Sequence, residues 1–214
     1  MGKKKEKKER KLTKQELERK ALFEEKKEKL IQQGYVYKNL SLGVVYANIM
    51  AVVFALPFIV VLYSLFFVVN GDSEGSFSLL QMYLFAIIIL LLTVVHELIH
   101  GSVWGIFSKN HFKDISFGVI WSMLTPYCCC KNTLKKWQYI LGGMMPMFVL
   151  GILPCIYAIV FCNFYVLVIG LLMVLGGGAD LLICSKMLFY RSECKEVLFM
   201  DHPYECGFVV FERS

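Results

Sequence analysis

The 214-residue chain is 57% hydrophobic and 19% charged, against about 45–50% apolar and about 25% charged for an ordinary soluble domain. That composition excludes a purely water-facing protein and makes lipid the expected solvent for most of the chain. The net charge of +6 is lopsided, since residues 1–38 hold 14 Lys/Arg and 7 Asp/Glu while the remainder nets −1; with no aromatic-rich basic groove, this argues against a nucleic-acid partner.

The opening MGKKKEKKERKLTKQELERK is charged for too long to begin a secretory signal peptide, and Glu6 stands where a myristoylation pattern needs Ser or Thr. Thr13 and Glu16 have the spacing of a capping box, so a helix is expected to open there and to stop near Gly34, with Leu17, Ala21, Leu30 and Ile31 as a thin apolar stripe. Such a tail is either solvated or lies on anionic inner-leaflet lipid, which attracts clustered Lys/Arg beside a span.

Four hydrophobic stretches follow, approximately 43–69, 79–108, 138–161 and 163–190, each with the roughly 20 residues needed to cross a bilayer core. The loop 70–78 is acidic, whereas 109–137 and the end of the chain carry lysines and Arg191. The positive-inside rule then places both termini and the 109–137 loop in the cytoplasm, and Cys162-Asn163 in a tight outer hairpin. Within the inner loop, DISFGVIWSMLTPY reads equally as one or two short membrane-surface strands or as an apolar re-entrant segment.

Eight cysteines lie mostly in apolar runs or beside basic segments, where no disulfide framework is expected. Cys128, Cys129 and Cys130 lack paired CxxC spacing and read as buried thiols ahead of an acylation site or soft-metal cluster.

The second stretch contains HELIH, residues 96–100. A helix turns about 100° per residue, which puts His96 and His100 about 40° apart on one face, able to grip one metal ion. Glu97, at the flank of that face, is placed to take a proton from an attacking water and deliver it to a leaving amine. Zinc suits two imidazoles and one carboxylate with an open fourth position, and lowers the pKa of bound water to about 7. Asp180, in VLGGGADLL, is the expected third ligand: counted from the outer ends of their spans, His96 and Asp180 each lie about 17 residues, roughly 26 Å, deep. Gly176, Gly177 and Gly178 permit the close helix approach this needs, or serve ordinary packing. A structural ion pair with Lys186 is the competing reading for Asp180. His111 and His202 read as surface histidines; Asn48 is a candidate substrate-carbonyl donor or an interhelical hydrogen-bonding residue.

HELIHG on a membrane helix, an Asp two spans later and a cytoplasmic loop between them resemble the membrane-embedded zinc metalloproteases of the site-2 protease type. More closely, PYCCCK, the Pro146 region, GGGAD and DHPYECGF together resemble a family of small bacterial membrane proteins described as putative zincin peptidases, over roughly residues 35–214. The resemblance implies that His96, His100 and Asp180 bind zinc and that Glu97 is the catalytic acid/base. Ile99 and Leu181 depart from the site-2 pattern, where glycines are common.

The expected protein is an all-α membrane protein with four transmembrane helices and a short surface β segment between spans two and three. It divides into a basic cytoplasmic tail with an amphipathic helix (1–38), a four-span membrane domain (39–193) and a cytoplasmic C-terminal segment (194–214). Its expected activity is zinc-dependent cleavage of a membrane-associated peptide or protein near the cytoplasmic face, with membrane lipid as surroundings. The rivals are a non-catalytic zinc-containing scaffold and an ion transporter.

Overall fold

The structure, a computed structural model, describes residues 13–73, 75–120 and 125–214. Helix α1 (Lys14–Gln32) opens on the expected capping box: the Thr13 hydroxyl accepts from the Glu16 amide at 3.3 Å and the Glu16 carboxylate accepts from the Thr13 amide at 2.8 Å. Its inward face is not the expected apolar stripe. Glu16, Arg19 and Phe23 are buried and Lys26 and Leu30 half-buried, whereas Leu17 and Ile31 are exposed. At about 100° per residue these five share an arc of roughly 80°, which a search for apolar residues alone passes over.

Helices α2 (Val44–Asn70) and α3 (Leu79–Phe107) are each long and apolar enough to cross a membrane unbroken, and their large side chains mostly point outward. The third apolar stretch runs from Lys136 to Phe161 as α4 (Lys136–Pro146), a π-helical turn (Met147–Ile152) and α5 (Leu153–Phe161). The widened turn follows Pro146, whose ring removes a backbone donor from the helical ladder. Cys162 then takes a left-handed conformation (φ 52°) and Asn163 caps the next helix, accepting from the Val166 amide at 3.1 Å, so the expected tight hairpin forms here.

The fourth stretch is broken rather than continuous. Helices α6 (Phe164–Gly176) and α7 (Gly178–Phe189) are bent by 48° across Gly177. Among the described residues, three helices are thus long and apolar enough to cross a membrane, or four if the bent pair counts as one span. The glycines do allow close packing, but of α7 against α2: a side chain at Gly178 would meet the Ala51 backbone, and one at Gly177 would meet Met147, while Gly176 faces open space.

The fold is mostly helical, and among the described residues the all-α expectation, which allowed only a short surface β segment, is corrected by a second, terminal sheet. β2 (Ile115–Ile120) and β3 (Thr125–Cys130) form an antiparallel hairpin in register Ile115↔Cys130. The connecting residues 121–124 of the expected surface segment lie outside the described residues. β1 (Val36–Asn39), β4 (Glu196–Asp201) and β5 (Phe208–Arg213) form a sheet of order β1-β5-β4, so the two ends of the chain share one antiparallel layer. EVLFMD and FVVFER, rich in β-branched and aromatic residues and separated by the turn-forming HPYECG, carry the signal for these strands.

One face of this sheet packs with the helices: Phe199, Phe208 and Val210 join Trp104 of α3, Tyr139 of α4 and Met187 of α7 in one buried cluster. The opposite face receives α1, through Phe23 against Tyr35, Met200, Val209 and Phe211. Lys26 adds hydrogen bonds to the Asn132 side chain (2.5 Å) and the Lys131 carbonyl (3.2 Å). The N-terminal helix is thereby seated on the terminal sheet and tied to the Lys131–Asn132 turn.

Candidate metal centre

Burying an imidazole in an apolar helix is favourable only if its polar atoms find partners. His96 and His100 both lie buried on the inner face of α3, ring centroids 4.8 Å apart. Nδ1 of His100 donates to the Gly142 carbonyl of α4 at 2.8 Å, and its ring stacks on Trp104 at 5.0 Å and 14°. Trp104 is held in turn by its indole N–H, which donates to the Tyr139 carbonyl at 3.1 Å. With Nδ1 committed as a donor, the neutral ring presents a lone pair at Nε2.

Asp180 comes to meet the histidines from the first turn of α7, just past the bend, where a helix N-terminus favours negative charge. Its Oδ2 lies 3.1 Å from His96 Nε2 and 3.4 Å from His100 Nε2, and the two Nε2 atoms are 3.1 Å apart. Zinc–nitrogen bonds of about 2.0–2.1 Å in a tetrahedron put ligand atoms about 3.3 Å from one another, so this triangle has the size of one tetrahedral face. The Lys186 ammonium is occupied elsewhere, donating to the Leu40 carbonyl at 2.6 Å. The donor set, its spacing and the carbonyl behind His100 all fit a zinc ion.

Glu97 and Asn48, the other two residues expected from sequence, both border the cavity that opens beside this triangle. Glu97 is half-buried, with the backbone amide of Cys128 beside its carboxylate. Asn48 is exposed on α2. The cavity measures about 210 Å3 and is walled by α3, α7, strand β3, the turn His202–Gly207 and the inward face of α1.

Several wall residues had no place at the site in the sequence reading. Asp201, at the end of β4, is buried and accepts from the Tyr139 hydroxyl and from the Cys130 amide, the latter at 2.7 Å. Burial pushes its carboxyl up to about 6 despite those two donors. His202 is buried, not a surface residue; its Nδ1 accepts from the Glu205 amide at 2.9 Å, and burial lowers its pKa. Glu16 and Arg19 reach the cavity from α1. Only DHPYECG carried a signal, as a cluster of polar residues whose sheet contacts the sequence did not disclose. His111 is exposed, as expected. Cys129 and Cys130 are buried free thiols, and burial raises the latter to about 12.

No curated protein and no solved structure matches this chain. A family model described as "Putative zincin peptidase" matches residues 89–195, half of the chain, spanning the HELIH segment, the β2–β3 hairpin and Asp180. By this match, the chain belongs to the putative zincin peptidase family.

Proposed function

We propose that this protein is a zinc-dependent membrane endopeptidase of the site-2 protease kind, cutting a membrane-associated peptide near the cytoplasmic face, where both termini lie. The observation that carries the reading is the convergence of His96, His100 and Asp180, whose ligand atoms all lie within 4.8 Å of one another, beside a cavity bordered by Glu97. When bound there, zinc supplies a Lewis acid for the scissile carbonyl and acidifies water at the site.

The chain's own groups supply the remainder. His96 and His100 hold the ion through Nε2, with the Gly142 carbonyl keeping the His100 ring in the required tautomer. The Glu97 carboxylate takes a proton from the attacking water and returns it to the leaving nitrogen. β3 pairs only with β2 among the described strands; the Cys128 and Cys130 amides of its second edge face Glu97 and Asp201, which leaves the carbonyls of that edge to accept from an extended substrate, whose peptide bonds, unlike those of a helix, are exposed to attack. Asn48 is positioned at the cavity to donate to a substrate carbonyl.

The nearest rival is a zinc site that only stabilises the bundle. Glu97→Gln separates them: purified protein of this variant should retain zinc and lose cleavage of a membrane-associated peptide by at least a hundredfold. Undiminished cleavage by the variant would rule out the catalytic role.

A further inference from the structure

Among the described residues lining the cavity, Arg19 is the only arginine or lysine, and it comes from α1, outside the stretch matched by the family model. It is 7% exposed, and its Nε has no hydrogen-bond partner. Its guanidinium carbon sits 4.5 Å over the Tyr127 ring, with the Cys129 thiol alongside. Removing a guanidinium from water costs several kcal/mol unless an anion repays it.

The carboxylates of the wall are engaged elsewhere. Glu16 caps α1, Asp180 faces both histidines, and Asp201, which interacts with Arg19 through space without a salt bridge, accepts from Tyr139 and Cys130. Glu205 accepts from the Ser41 hydroxyl at 2.5 Å and lies 3.8 Å from His202, and Glu97 stands beside the Cys128 amide. No described carboxylate forms a salt bridge with Arg19. A guanidinium held over an aromatic ring, with its Nε–H uncommitted, is prepared for a carboxylate supplied from outside.

We propose that Arg19 is a specificity-determining residue that recognises a carboxylate on the peptide substrate, carried by an acidic side chain or by its C-terminus. This rests on the zinc-peptidase reading, because the fork and the metal triangle open onto the same cavity. The N-terminal helix then contributes to substrate selection as well as to packing.

The test uses full-length protein loaded with zinc in detergent and one peptide hydroxamate made in three forms. The first ends in Gln amide and is neutral, the second in Glu amide with a side-chain carboxylate, and the third in Gln with a free C-terminal carboxylate. In wild type one of the two acids should bind at least tenfold tighter than the neutral form, and which one identifies the source. Arg19→Gln should erase that preference with zinc content unchanged, and Arg19→Lys, keeping the charge without the fork, should restore part of it. Equal binding of all three forms by wild type, or an undiminished preference in Arg19→Gln, overturns the assignment while leaving the zinc site standing. If none of the three binds zinc-loaded protein, the zinc-peptidase reading fails and the assignment falls with it.

Discussion

His100 donates from Nδ1 to the carbonyl of Gly142 at 2.8 Å, so the position of α4 fixes which imidazole nitrogen faces Asp180. Gly142 has a second duty, since a side chain there would run into the indole of Trp104, the ring stacked on His100. Gly142→Ala should therefore displace both supports of the imidazole. Losing such support typically costs 10–100-fold in metal affinity. Chelator competition on the purified variant should show zinc bound within that range more weakly, with the membrane spans intact by circular dichroism.

The approach of α7 to α2 depends on Gly178, where a Cβ would overlap the Ala51 backbone rather than a movable side chain. Gly178→Ala forces the helices apart, at a cost of about 1–3 kcal/mol. Its thermal midpoint in micelles should fall below that of wild type. Gly176→Ala, which meets nothing within 4 Å, is the matched control and should change it little.

Asp201 gives the protein a pH dependence of a definite sign. Burial raises its folded-state carboxyl from 3.8 to about 6, so between those values the folded chain holds a proton that the unfolded chain has released. Stability then falls as pH rises through that window. A thermal-midpoint series from pH 4 to pH 7 should show this decline in wild type, and Asp201→Asn should flatten it. A slope unchanged in the variant would assign the effect to another group.

Phe23 anchors α1 to the terminal sheet, 3% exposed among Tyr35, Met200, Val209 and Phe211. Phe23→Ala removes a buried ring, which costs about 3–5 kcal/mol in a core. Brief trypsin treatment should cut the variant at the lysines and arginines of α1 much faster than wild type. Equal resistance would mean that Arg19 and Lys26 hold the helix without it.

Much of the site was legible because its chemistry is written in local spacing. The i, i+4 histidines specify a shared helix face, and the depth of Asp180 in its span placed it level with them, as the 3.1 Å contact with His96 reflects. The Thr13–Glu16 box and the Cys162–Asn163 turn were equally local. The bend at Gly177 was not, because three successive glycines allow either a straight close-packed helix or a break, and only packing against Ala51 and Met147 chooses. The terminal sheet pairs residues over 160 positions apart, such as Tyr37 with Phe211, beyond the reach of any periodicity. Arg19 escaped notice for a related reason: within a run of charges, only the fold distinguishes those turned inward.

The account stands most directly on the zinc content of purified wild-type protein measured beside Asp180→Ala. One zinc per chain in wild type, with most of it lost on replacement of Asp180, is the predicted result. Wild-type protein purified without zinc, or full occupancy in Asp180→Ala, would contradict the three-residue metal centre.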